Sequence, residues 1–235
     1  WYPNLNRQTD SFPTGHLGDA PITKSYAEWL ARLHSQHKIS PLRIGIEMDI
    51  SIASPAFNAS EMLLPGKTWQ DLLQAEFPEV RLVDAIPVLE QARAIKDEGE
   101  IALLQKSCEI ANMGLSALQS TLHPGMSEVE AAALVENEIR VRGTGWKGAR
   151  LVQAFAQVTT GPDGSYRQSM LTPSSTRKME RGDLVMIELG VCVDGYWSDL
   201  TRTYCVGKPD QAQIQAYNAV FGAQQCAGKS LQAGN

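Results

Sequence analysis

Residues 188–207 read Glu188-Leu189-Gly190-Val191-Cys192-Val193-Asp194-Gly195-Tyr196-Trp197-Ser198-Asp199-Leu200-Thr201-Arg202-Thr203-Tyr204-Cys205-Val206-Gly207. The mostly apolar run Leu184-Val185-Met186-Ile187 leads into this stretch and predicts a strand. Asp194-Gly195 is a strong hairpin-turn signal, so residues 196–206 read as the return strand. Glu188 stands among Val185, Ile187 and Leu189. A carboxylate in a buried strand is costly unless it is paired, hydrogen-bonded or bound to a metal. Asp199 lies eleven residues on, across the hairpin. Two carboxylates on adjacent antiparallel strands can face one another, and unpaired they raise one pKa. A divalent cation between them removes the conflict, and oxygen ligands suit Mn²⁺, Co²⁺ or Zn²⁺. The other reading is an acid–Arg202 pair that merely fixes the sheet.

Upstream of the hairpin, Ile101, Leu104, Cys108, Ala111, Leu115 and Leu118 recur at helical steps and predict one long amphipathic helix. His123-Pro124-Gly125 breaks it. Ser127 and Glu130 form a capping-box pattern that opens a second helix, ended at Gly143-Thr144-Gly145. A strand is expected over 151–158, and Asp210 with Gln213 caps a last helix. The first ninety residues alternate between helical and strand patterns: helices over 26–34, 68–75 and 84–96, strands over 42–47 and 80–83. Pro87 is tolerable only in the first turn of its helix. The expected organisation is an α/β N-terminal domain over residues 1–92 and an α+β domain over 93–235.

A net charge of −5 argues against nucleic acid as the main partner. With 43% hydrophobic and 20% charged residues, the chain is neither disordered nor fibrous. No apolar run approaches the roughly 18 residues that span a bilayer, so no membrane partner is expected. Cys108, Cys192, Cys205 and Cys226 form no C-x-x-C pair, which disfavours a zinc ribbon and fits a cytoplasmic setting.

Residues 182–207 resemble the metal-binding hairpin of the pita-bread metallopeptidases, the family of aminopeptidase P, prolidase and methionine aminopeptidase, with creatinase as a metal-free relative. The likeness rests on Gly195-Tyr196-Trp197-Ser198-Asp199-Leu200-Thr201-Arg202-Thr203 and, upstream, on Arg93-x-Ile95-Lys96-x-x-x-Glu100-Ile101. It is closest to the Xaa-Pro peptidases. The resemblance implies a creatinase-like N-terminal domain over 1–92 and the first part of a pita-bread catalytic domain over 93–235. It also implies a hydrolase with two divalent ions, probed first as Mn, Co or Zn, acting on peptides with proline in second position. Glu188 and Asp199 would be metal ligands, and Thr201 would hydrogen-bond the Asp199 carboxylate.

Two departures stand out. The family's first aspartate is Glu188 here, and Gln168 falls where the family carries a histidine after the loop Thr160-Gly161-Pro162-Asp163-Gly164. Glutamine can donate to an oxyanion on the substrate side but cannot act as general acid or base. The four histidines, His16, His34, His37 and His123, all precede the hairpin. The one His and two Glu that complete the family's ligand set are therefore expected outside this chain, and the absent initiator Met is read as a processed chain or a fragment. Half a pita-bread sheet leaves an open edge and an uncovered apolar face, which predicts association, either with itself as a homo-oligomer or with the missing half. Two alternatives stay open: a creatinase-like hydrolase of a small-molecule C–N bond without metal, and a non-catalytic binding homologue.

Overall fold

A computed structural model describes residues 43–46, 69–161 and 173–232, together with Arg32 and Ser35. Of the helix expected over 26–34 only Arg32 is among the described residues, and Gln168 lies outside them. The chain divides into two compact units, Trp1–Ile95 and Lys96–Asn235.

In the first unit, β1 (Arg43–Ile46) pairs in parallel with β2 (Arg81–Asp84), Arg43 opposite Arg81. Parallel strands need a crossover, and α1 (Trp69–Glu76) lies within it, with Leu73 buried. The helix after β2, α2 (Ile86–Ala94), carries Pro87 in its first turn, where the missing N–H costs nothing.

The second unit runs α3 (Glu98–Thr121), α4 (Glu128–Gly143), a short 3-10 turn (Trp146–Gly148), β3 (Val152–Gly161), β4 (Leu184–Val193), β5 (Tyr196–Cys205) and α5 (Gln211–Ser230). The three strands form an antiparallel sheet in the order β3-β4-β5. Val185, Ile187, Leu189, Val191 and Val193 alternate along β4 and are all buried. They join Ile110, Leu118, Val135 and Ile139 of α3 and α4 in one core. One sheet face is thus covered by two helices, the solution an amphipathic sheet requires. Among the described residues, no helix is long and apolar enough to cross a membrane.

The hairpin turn is as tight as its sequence demands. Asp194 and Gly195 both have positive φ, 50° and 96°, the twist that two-residue hairpins favour. Asp194 accepts from the backbone N–H of Leu151 at 3.0 Å, which ties the turn to the entry of β3.

The outer edge of β3 is closed by side chains rather than by another described strand. Its alternate backbone N–H groups at Ala156, Val158 and Thr160 donate to Glu136 Oε1 (2.9 Å), Ser174 Oγ (2.7 Å) and Glu128 Oε1 (2.7 Å). Strand alternation puts every second N–H on this edge, and Glu128 and Glu136, two helical turns apart on α4, supply acceptors along it. Covering an edge in this way blocks strand addition.

All three long helices carry capping boxes, at Asp97/Glu100, Ser127/Glu130 and Asp210/Gln213. The α4 box has a pH signature. The backbone N–H of Ser127 (2.6 Å), the Lys178 ammonium (2.9 Å) and the Ser127 hydroxyl (2.8 Å) all donate to Glu130. Together they pull its carboxyl from 4.5 down to about 2. A carboxyl with a depressed folded-state pKa stabilises above its unfolded pKa and loses that contribution as pH falls through the folded one. Stability from Glu130 should therefore fade between about pH 4.5 and 2. Glu130→Gln keeps a capping acceptor but cannot titrate. Denaturant unfolding at both ends of that window should show the wild type losing more stability than the variant, and parallel losses would refute the assignment.

Candidate metal centre

The register of the sheet places the candidate residues in rows. Gln157, Glu188 and Thr201 form one row across β3, β4 and β5. Phe155, Gly190 and Asp199 form the next, and Gln153, Cys192 and Trp197 the one after. Side chains two apart on a strand share a face, so all three rows look to the side away from the helices. Glu188 and Asp199 are therefore brought together on one face, in adjacent rows, as diagonal cross-strand neighbours. Such neighbours sit about 7–8 Å apart, within reach of a common ion for side chains of this length.

Two expectations need correction. Glu188 does not sit in the buried company of Val185, Ile187 and Leu189. Those three point to the helices, while Glu188 points the other way and is only half-buried. The strand is apolar on average, but the pleat separates the two sets. Thr201 does not serve Asp199 either: its hydroxyl donates to Glu188 Oε2 at 2.7 Å. Residues two apart on one strand are separated by about 6.6 Å of rise, whereas a directly opposed cross-strand pair has Cβ atoms about 4.5–5.5 Å apart. The opposed pair is Glu188 and Thr201.

Arg202 is exposed and donates to the Thr201 carbonyl at 2.9 Å. Among the described residues no ion pair involves Arg202, Glu188 or Asp199, so the acid–arginine alternative finds no support there. Cys192 lies on the same face, but burial pushes its thiol pKa up, which disfavours a thiolate ligand. The donor set therefore consists of carboxylate oxygens, which fit a hard or borderline divalent ion. Of the described residues, Glu188 and Asp199 are the two carboxylates on this face. Among the described residues there is no group of three or more His, Cys, Asp and Glu that could hold a metal.

Tyr196 and Trp197 divide as their alternation requires. Tyr196 turns inward, its hydroxyl donating to Glu100 Oε1 at 2.9 Å. Trp197 stands on the candidate face, with its ring 6.0 Å from that of Phe155. Ser198 turns inward as well and is bonded to Ser107 of α3 at 2.9 Å. This inward set fixes β5 on the helices, and so fixes where Asp199 points.

A second constellation escaped the sequence reading. Glu128 is buried, and each of its oxygens takes two hydrogen bonds. Oε1 accepts from Thr160 N (2.7 Å) and Thr160 Oγ1 (2.8 Å), and Oε2 from Ser175 N (2.8 Å) and Ser175 Oγ (2.7 Å). Arg177 continues the network, bonding Thr160 Oγ1 (2.6 Å) and Asp183 Oδ2 (2.7 Å). Burial alone would raise the Asp183 pKa, but Arg177 and the Glu180 N–H outweigh it and hold it low. The only sequence signal was an acid directly after a helix cap, with paired hydroxyls at Thr159-Thr160 and Ser174-Ser175.

A model of metallopeptidase family M24 matches residues 102–235. The Xaa-Pro dipeptidase of Pyrococcus horikoshii is 34% identical over 161 residues, covering 68% of this chain and 43% of the relative. Among solved structures, the X-Pro aminopeptidase of Thermotoga maritima superposes with a TM-score of 0.61 at 25% identity, covering 85% of this chain and 49% of that one. The prolidase of Pyrococcus horikoshii gives 0.57 at 30% identity, covering 79% and 47%. The chain thus spans less than half the length of each of these proteins.

Proposed function

Given that the chain belongs to metallopeptidase family M24 and has the pita-bread fold of its relatives, we propose that this protein hydrolyses peptides at the bond before proline. One observation carries the reading: Glu188 and Asp199 share a sheet face in adjacent rows, Asp199 within the Gly195–Thr203 motif and Glu188 on the strand paired with it. In this proposal the two carboxylates hold divalent ions, two per site, with Mn, Co and Zn as the candidates suited to oxygen donors. Such ions polarise the scissile carbonyl and lower the pKa of a bound water.

The chain's own residues have defined tasks. Asp199 is presented by a strand pinned at Ser198 and Tyr196. Glu188 extends one methylene further than an aspartate, from a backbone fixed on both sides by β3 and β5. Gln168 is assigned to substrate binding by its position in the family's pattern alone, as an amide that can donate to an oxyanion. It moves no proton, so general acid–base work falls to other groups. The natural substrate is a peptide with proline in second position. A cytoplasmic homo-oligomer, acting on neither nucleic acid nor membrane, completes the proposal.

The test is metal binding together with turnover in the protein at its full native length. Asp199→Asn and Glu188→Gln should each lower Mn²⁺ affinity and Xaa-Pro hydrolysis by at least about 100-fold, since even outer partners of a metal reach that scale. Thermal unfolding should stay near wild type, because both side chains lie off the core. Full activity in either variant would overturn the ligand assignment. Hydrolysis of a small-molecule C–N bond by metal-stripped protein would move it to the metal-free branch.

A further inference from the structure

The Glu188–Thr201 contact decides how Glu188 can serve an ion. We infer that Thr201 is a positioning residue that holds Glu188 as a single-oxygen ligand, with Oε2 anchored to the Thr201 hydroxyl and Oε1 presented to the metal. This inference rests on the metallopeptidase reading above and adds to it the role of one further side chain.

Three observations support it. Thr201 stands directly opposite Glu188 in the register, on the same face, so the contact is imposed by the hairpin rather than by a chance rotamer. The bond is well formed, 2.7 Å from Thr201 Oγ1 to Glu188 Oε2, the usual length for a hydroxyl donor to an oxygen acceptor. Thr201 is β-branched and sits in a strand, where few χ1 states are open to it, so the donor is itself held in place.

The chemistry then follows from glutamate's length. Glu has one more rotatable bond than the aspartate found at this position in the family, and fixing it on an ion loses more rotamer freedom. A neighbouring donor that orders the carboxylate beforehand offsets that loss. It does so by occupying one oxygen, which biases the ion toward the other. Asp199, whose row contains Gly190 and Phe155, has no equivalent hydroxyl opposite it.

Thr201→Val is the near-isosteric probe. It keeps a β-branched strand residue and removes the donor. Thr201→Ser restores the hydroxyl. Both substitutions are at an exposed position, so the fold should be retained, and thermal unfolding checks this. Mn²⁺ alone, titrated into the full-length protein by calorimetry, should bind the Val variant about 10–100-fold more weakly, with the Ser variant within a few-fold of wild type. Infrared difference spectra on adding Mn²⁺ should show the wide carboxylate splitting of single-oxygen coordination in the wild type.

Wild-type affinity in Thr201→Val, or a narrow two-oxygen splitting in the wild type, would overturn the inference. Asp199→Asn separates the two levels. If it leaves Mn²⁺ binding intact, the metal site itself is misplaced. If it abolishes binding while Thr201→Val does not, only the role of Thr201 fails.

Discussion

Replacing Glu128 by Ala should cost the second unit about 1–3 kcal/mol, measured by denaturant unfolding. The carboxylate is 4% exposed and accepts four hydrogen bonds, two of them from the backbone N–H groups of Thr160 and Ser175. Removing it leaves the buried Thr160 N–H without an acceptor, at about 1–3 kcal/mol, while the exposed Ser175 can turn to water. The loss also propagates. Thr160 Oγ1 is shared with Arg177, and Arg177 with Asp183, so a loosened Thr160 weakens a guanidinium–carboxylate pair at 2.7 Å.

Glu128→Gln gives a finer test. Its amide oxygen can still accept from one of the two hydroxyl residues, but its NH₂ now meets two donors on the other. It should lose roughly half as much as the Ala variant, and amide exchange should accelerate at only one of Thr160 and Ser175. An Ala variant within about 1 kcal/mol of wild type would show that this network is not what holds β3 to α4.

That network also marks where the sequence stops being informative. Its partners lie 32 and 47 residues from Glu128. No local pattern links an acid after a helix cap to hydroxyls so far downstream, so only the fold brings them together. The capping boxes at Ser127 and Asp210 were legible for the opposite reason, since both partners lie within four residues and need no tertiary context. The hairpin belongs to the same class. A two-residue turn at Asp194-Gly195 forces Val193 opposite Tyr196, and counting back from that pair sets Glu188 against Thr201 and Gly190 against Asp199.

The same count accounts for both differences at the site. Assigning Thr201 to Asp199 paired residues along one strand, where the rise keeps them apart. Treating Glu188 as buried read the mean polarity of the strand rather than its period of two. The pleat gives the odd-numbered Val185, Ile187 and Leu189 to the core, and the even-numbered Glu188 to the other face. The same parity explains why the ligand candidates can be charged at all. An acid on the helix side of β4 would need a partner inside the core, whereas on the outer face it can await an ion. The division between Ile95 and Lys96 falls between α2 and α3, in the connection where the helical pattern changes character. Gln168, by contrast, was placed by likeness to the family alone, and its role stands or falls with direct assay.

Gly190→Ala should destabilise the sheet by about 1–3 kcal/mol, although alanine is the better strand residue by about 0.5–1. The reason is a single close approach. A Cβ on Gly190 would lie 2.2 Å from Cε1 of Phe155 and 2.7 Å from its Cζ. Phe155 is opposite Gly190 in the register, and its ring lies over the space that the missing side chain leaves. The ring also contacts Trp197, which limits its freedom to swing aside. The row that must give way is the one that presents Asp199.

A double-mutant cycle isolates this cause from any general intolerance of the strand. In a Phe155→Ala background the obstruction is gone, and adding Gly190→Ala should be neutral or stabilising by up to about 0.5–1 kcal/mol, the ordinary gain over glycine. The coupling between the two positions should therefore exceed about 1 kcal/mol, far above the additivity expected of independent sites. Equal costs for Gly190→Ala in both backgrounds would mean that glycine is required there for its backbone alone. Mn²⁺ titration of the same four proteins extends the cycle to the site. If the aromatic ring over Gly190 sets the position of β5, affinity should fall in Gly190→Ala and recover when Phe155 is also removed.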